Sequence, residues 1–386
     1  MKPFNQSLQH ALRLMQSGDL QAATAAIQQG LVADGPSPAR NDDTFNAPDP
    51  RPGPDCIDVE FRVVERVDTP AKPRATSTTT HRTRATFEAR RFVGDAGALD
   101  YKLFVPGGLD TTNAPLLVML HGCTQSPDDF ARGTRMNTLA EQHGYVVAYP
   151  EQPASRNATH CWNWFRRSDQ RRGGGEPALL AALTRQLIAT HGLDDRRVYV
   201  AGLSAGGAMA AVLANTHPDL YTAIGVHSGL PIGLASDVPS AFAAMHGGGP
   251  RRPTVPGSGE RGRTSRAVPA IVFHGDNDTT VHPNNGHGVI AQSLASEGVE
   301  AAAAKGAQVE RGIAAGGRRY TRTVHTLADG SVAAEHWMIE GAGHAWSGGD
   351  AAGSYTDPSG PDASEQMLRF FSACAMKSRT TPEAHT

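Results

Sequence analysis

Cysteine is scarce in this chain, with four residues, Cys56, Cys123, Cys161 and Cys374, among 386. That is too few for a disulfide-built scaffold, and none has the C-x-x-C spacing of a zinc site. No run of about 18 apolar residues occurs, which excludes an ordinary membrane-spanning helix. An excess of one charge is also lacking: the formal net charge is −2, so no long-range field favours nucleic acid or an anionic membrane as partner. The opening M-K-P-F-N-Q-S-L-Q-H has no continuous apolar core of the kind a signal peptide carries, and the expected location is the cytoplasm. No phosphate-binding glycine loop stands in context and no metal-ligand cluster has clear spacing, so neither cofactor nor metal is expected.

What the chain does have is an organising stretch from Arg197 to Asn215. Val198 to Ala201 is the short apolar run of a buried parallel strand, and Ala208 to Asn215 is rich in helix formers. Between them lies Gly202-Leu203-Ser204-Ala205-Gly206, a G-x-S-x-G at a strand-to-helix turn. In that setting the motif is a nucleophile elbow, with small neighbours that let strand and helix approach closely. Among 42 glycines a bare G-x-S-x-G is a weak signal, and an incidental serine in a tight connection is the competing reading. The strand before, the helix after and the partners downstream decide for Ser204 as nucleophile.

Around this stretch the chain divides into four parts. Residues 1–33 read as two short amphipathic helices broken at Gly18-Asp19, with stripes Leu8, Ala11, Leu12, Met15 and Leu20, Ala23, Ile27, Leu31. The pair resembles one tetratricopeptide unit, but a single copy makes no solenoid, so a granule surface or a second subunit is the expected support. Residues 34–84 are a Pro/Thr/Arg-rich linker. Residues 85–376 carry strands alternating with helices, which predicts an α/β fold with a doubly wound, mostly parallel sheet; residues 377–386 are a tail.

Within that domain, Thr86 to Phe92 and Leu99 to Val105 read as antiparallel edge strands. Leu116 to Leu120, Val146 to Tyr149, Val198 to Ala201, Ala223 to His227 and Ala270 to Phe273 read as buried strands. Further strands are expected near Arg319 to His325 and Glu335 to Ile339. Ser126-Pro127-Asp128-Asp129 is a helix start, predicting a helix to about His143; others are expected over Pro177 to about Thr190 and Pro361 to Cys374. A Gly/Pro/Arg-rich insert runs from Gly247 to Arg266.

A serine hydroxyl needs a base to take its proton, and the base needs a carboxylate to hold its tautomer. After such an elbow the chain order is Ser, then Asp or Glu, then His. In H-G-D-N-D, Asp278 is the candidate acid and Asp276 its understudy; in G-A-G-H, His344 is the candidate base, with His282 and His287 as competitors. The oxyanion calls for two backbone N–H donors, expected from Ala205 and from Cys123 after strand Leu116 to Leu120. His121, Trp162, Trp164 and Trp346 are candidates for a substrate cleft. For Trp162, Trp164 and Phe165 a local core under a long loop is the equal alternative. Cys123 and Cys161 both fall in loops expected beside the site, where either a bridge, given an oxidising compartment, or two buried thiols would fit.

These residues sit in L-H-G-C-T-Q-S-P-D-D-F, C-W-N-W-F, G-L-S-A-G-G-A-M, H-G-D-N-D-T-T-V-H-P-N-N-G, G-H-A-W-S-G-G and S-Y-T-D-P-S-G-P-D-A. As a set, over about Ala85 to Cys374, they resemble the esterase family of short-chain-length polyhydroxyalkanoate (poly-3-hydroxybutyrate) depolymerases. The resemblance implies an α/β-hydrolase fold, the triad Ser204, Asp278 and His344, an oxyanion donor at Cys123, and hydrolysis of 3-hydroxyacyl esters or polyester. It also makes an extracellular location the alternative to a cytoplasmic one. The family is similar to feruloyl and acetylxylan esterases too, so a carbohydrate ester is the rival substrate. A non-catalytic granule- or partner-docking protein is the reading from another class.

Overall fold

A computed structural model describes residues 84–247, 268–296 and 307–380. The expected N-terminal hairpin, most of the linker and nearly all of the Gly/Pro/Arg-rich insert lie outside those residues. Along the chain come β1 (Thr86–Gly94), β2 (Gly97–Val105), β3 (Leu116–Leu120), α1 (Pro127–Thr134), α2 (Met136–His143) and β4 (Val146–Pro150). After a 3-10 turn at Arg167–Gln170 follow α3 (Gly175–His191), β5 (Val198–Leu203), α4 (Ala205–Thr216), β6 (Ala223–His227) and α5 (Val238–Met245). The remainder is β7 (Ala270–Gly275), α6 (Asn284–Ser296), β8 (Gln308–Ile313), β9 (Arg319–Thr326), β10 (Val332–Ile339), β11 (Trp346–Ser347), β12 (Thr356–Asp357) and α7 (Ala363–Thr380).

Ten strands form one sheet in the order β1-β2-β4-β3-β5-β6-β7-β10-β9-β8. From β4 to β10 every neighbour is parallel, while β1 and β2 at one edge and β9 and β8 at the other are antiparallel. The central strands are buried along their whole length, which is why they read as unbroken apolar runs rather than alternating ones. Side chains of β3 still divide between the faces. Leu116, Val118 and Leu120 join a core with Leu179 and Leu183 of α3 and Met209 of α4. Leu117 and Met119 join the other, with Phe130 of α1, Met136 of α2 and Phe370 and Phe371 of α7. Truncating one such residue, as in Leu117→Ala, is expected to cost about 2–5 kcal/mol.

Strand order reverses at β3: the chain leaves β3 for β4 on one side, then returns to lay β5 on the other. In open α/β sheets such a switch point opens a crevice beyond the strand carboxyl ends. Here it sets the loop after β3 beside the turn after β5, with Leu120 in register with Gly202.

One expected element differs, and others are added. The helix beginning at Ser126 does not run through to His143, because Arg135 takes a left-handed conformation (φ 54°) and splits it into α1 and α2. The break turns the Arg135 side chain to the Gly348 carbonyl at 3.1 Å and to the Asp362 carboxylate. Helices α5 and α6 and strand β8, none of them expected, complete the domain. Among the described residues no helix is long and apolar enough to cross a membrane.

Candidate active site

Ser204 stands between β5 and α4 with φ 56° and ψ −118°, a region that a side chain occupies only when its surroundings hold it there. Its amide donates to the His227 carbonyl of the neighbouring strand at 2.9 Å. On the other side, a Cβ on Gly206 would overlap the Leu120 and His121 carbonyls. The helix therefore presses against the end of β3, and only glycine fits at that contact.

Asp278 follows β7 and His344 follows β10, the adjacent parallel strand. The structure brings them together: His344 Nδ1 lies 2.7 Å from Asp278 Oδ2. A carboxylate accepts, so Nδ1 carries the hydrogen, and the neutral form of the ring has its lone pair on Nε2. Oδ1 of Asp278 accepts from the amides of Thr280 (2.9 Å) and Val281 (2.8 Å), which fixes the carboxylate's rotation. Burial pushes the Asp278 carboxyl up, but His344, His274 and the Val281 amide outweigh it and hold the group below its ordinary value. The Asp278 side chain is fully shielded, whereas that of His344 keeps 13% of its surface.

The competing residues are spent elsewhere. Asp276 is exposed and accepts from the Gly341 amide at 2.6 Å, tying down the loop that carries His344. Exposed His282 accepts from the Asn284 amide at the start of α6. His287 sits edge-on to His336, 4.6 Å between ring centres.

For the oxyanion, the loop after β3 is held on both sides of Cys123. Gly122 donates its amide to Gln125 Oε1 at 2.9 Å, and Thr124, with φ 65°, donates its own to the Thr159 carbonyl at 2.8 Å. The amides of Cys123 and Ala205 give no hydrogen bond to a backbone carbonyl among the described residues. Cys123 is bridged to Cys161, whose Cα is 4.2 Å away, so of the two readings for these cysteines the structure has the disulfide.

The cleft aromatics require correction. Trp162, His121 and Trp346 are 0–1% exposed and Trp164 6%, so they are core residues that build the site from beneath rather than walls that line it. His121 links the Gly122 carbonyl (2.8 Å) to the Gln152 amide (3.1 Å), and burial drives its pKa down to about 4, so it serves as a neutral pin. Trp346 stacks on His227 and donates Nε1 to Ser364 Oγ at 3.1 Å. Spacing alone does not tell which side of a loop an aromatic takes.

Sequence reasoning also missed two residues that border these groups. His227 accepts from the Ser347 amide at 3.0 Å through Nε2 while its carbonyl holds Ser204. Tyr355, 46% exposed with φ 51°, places its hydroxyl 3.3 Å from Thr124 Oγ1 beside Cys123. No periodicity or spacing marks either. Among the described residues no group of three or more His, Cys, Asp or Glu side chains is arranged to hold a metal.

A ten-stranded, mostly parallel sheet with a serine elbow at its switch point defines the α/β-hydrolase class. A solved acetyl xylan esterase from Aspergillus awamori shares the fold, with a TM-score of 0.61 at 21% identity over 75% of this chain and 99% of that one. The chain belongs to the family described as "Esterase PHB depolymerase", whose model matches residues 99–314, more than half of the sequence. Ser204 and Asp278 fall within that match and His344 beyond it. Poly(3-hydroxyalkanoate) depolymerase C of Paucimonas lemoignei is 33% identical over 261 residues, 67% of this chain and 61% of the depolymerase. Feruloyl esterase B of Thermothelomyces thermophilus is 29% identical over 227 residues, 55% of this chain and 75% of that one.

Proposed function

We propose that the protein is a serine ester hydrolase acting on short-chain 3-hydroxyacyl esters or polyhydroxyalkanoate. Ser204 Oγ attacks the ester carbonyl as His344 Nε2 takes its proton, and Asp278 stabilises the resulting imidazolium. The oxyanion of the tetrahedral intermediate accepts from the Cys123 and Ala205 amides. Collapse breaks the ester C–O bond, the leaving alcohol takes the proton from His344, and an acyl-serine remains. Water, deprotonated by His344, then releases the acid and restores Ser204. The observation that carries this reading is the 2.7 Å contact from His344 Nδ1 to a carboxylate held by two backbone amides.

The substrate class rests on the family and on the 33% identity to a polyhydroxyalkanoate depolymerase. A carbohydrate ester is the second reading, favoured by the feruloyl esterase relative. Incubation with amorphous poly-3-hydroxybutyrate, a feruloylated oligosaccharide and acetylated xylan, with the released acids separated by chromatography, distinguishes the two. Soluble hydroxybutyrate oligomers support the first; ferulate or acetate without them transfers the assignment to the second. The Cys123–Cys161 bridge supports work in an oxidising compartment over a cytoplasmic one. The apolar stripes of residues 1–33 support attachment of that segment to a granule or a second subunit.

A further inference from the structure

His274, the penultimate residue of β7, has no exposed surface, and the mechanism above gives it no role. Its Nε2 lies 2.7 Å from the Val281 carbonyl and 3.5 Å from Asp278 Oδ2, the same oxygen that receives His344. Both neighbours can only accept, since a backbone carbonyl and an ionised carboxylate have no hydrogen to give, so Nε2 must carry the hydrogen. Nδ1 has no partner. It faces Gly286, where a Cβ would come within 2.9 Å of it and within 3.1 Å of His336 Nε2, so the backbone of α6 seals that side. Burial holds His274 below its ordinary pKa against the opposing pull of Asp278. The ring is thus a neutral imidazole with one tautomer and one donor.

That donor has a specific target. Val281 gives its amide to Asp278 Oδ1 and takes the His274 hydrogen on its carbonyl. The turn from Asp278 to Val281 is therefore fastened at its far end to β7, and the two amides that fix the carboxylate cannot drift from Oδ1. We infer that His274 is a positioning residue for Asp278: its Nε2–H latches Val281, which leaves Oδ2 alone aimed at His344. This rests on the triad reading of the site.

The two ring nitrogens give a clean test, because glutamine presents an amide N–H near the Nε2 position and asparagine near the Nδ1 position. Turnover of a short p-nitrophenyl ester and thermal stability would be measured for His274→Gln, His274→Asn and His274→Leu. The asparagine and leucine variants should lose about 10²-fold in kcat with KM nearly unchanged, as for a catalytic group misplaced by about an ångström. The glutamine variant should keep most of kcat even where its Tm falls with theirs. Equal turnover of Gln and Asn variants, or wild-type turnover in the leucine variant, would overturn the inference. If the variants do not fold, the ¹⁵N spectrum of the wild-type histidines decides: His274 must show a hydrogen on Nε2 and a bare Nδ1, and the opposite tautomer refutes the latch. Failure of the triad reading is seen separately, as absence of fluorophosphonate label on Ser204 of the wild-type protein.

Discussion

Stability should fall steeply as the protein is taken from neutral to mildly acidic pH, because its core holds histidines that stay neutral when folded. His121, His217, His227 and His336 are 0–6% exposed. Burial lowers their pKa values from 6.5 to about 4, about 4, about 3 and about 3. Once unfolded, each takes up a proton near its ordinary value, so between there and the folded pKa the unfolded chain binds more protons. Stability is then lost as pH falls below the unfolded value and is unaffected above it. At about pH 5 each group contributes a loss of roughly 2 kcal/mol, from 1.36 kcal/mol per unit. Four such groups together approach about 8 kcal/mol, comparable with the whole stability of an ordinary domain at about 5–15 kcal/mol. Urea unfolding followed by tryptophan fluorescence, repeated from about pH 8 to about pH 5, reads this directly. His217, at the end of α4 and hydrogen-bonded at 2.9 Å to Thr216, is the place to assign the effect: His217→Gln should remove about a quarter of the pH dependence. Stability that stays level across that range would refute the claim that these imidazoles are sealed in neutral form.

Asp278→Asn should lower kcat by about 10⁴-fold by favouring the wrong His344 tautomer, whereas Asp276→Asn, which keeps an oxygen to accept from the Gly341 amide, should be far milder; the reverse ranking in kcat would make Asp276 the acid. Gly206→Ala forces a methyl into the Leu120 carbonyl and should cost about 3 kcal/mol or more by urea unfolding; a neutral effect would mean that helix and strand are not in close contact at the elbow. A chain begun at Ala85 should hydrolyse a short p-nitrophenyl ester as the full chain does, since every residue assigned to the site lies between His121 and Tyr355; soluble but inactive protein would place part of the site in the first 84 residues.

The parts of this molecule legible in its sequence are those where a local rule acts alone. Central strands are apolar throughout because both faces are covered, and the elbow is written in five consecutive residues. Ser126 and Pro127 mark the start of α1 for the same reason, with the Ser126 hydroxyl accepting from the Asp129 amide at 3.3 Å. What was not legible depends on partners distant in the chain. Strand β8 is exposed on both faces, so Q-V-E-R-G-I shows no useful alternation, and only its pairing with β9 makes it a strand. Helix α6 carries two glycines in its first turns, which weakens its helical signature, yet the sheet needs it as a cover. Arg135 reads as an ordinary helical residue, and its left-handed turn depends on Gly348 and Asp362, more than two hundred residues away. Trp162 and Trp346 show the same limit within the site, since spacing places an aromatic near a catalytic loop without saying whether it points out or in.

The central claim is that Ser204, activated by His344 and Asp278, is the nucleophile. Reaction with a fluorophosphonate followed by peptide mass mapping tests it most directly. The account predicts a single covalent adduct on the peptide containing Gly202 to Gly206, lost together with ester hydrolysis in Ser204→Ala, which should fold normally. Hydrolysis that survives in Ser204→Ala at a tenth or more of the wild-type rate, or an adduct on another residue, would contradict it.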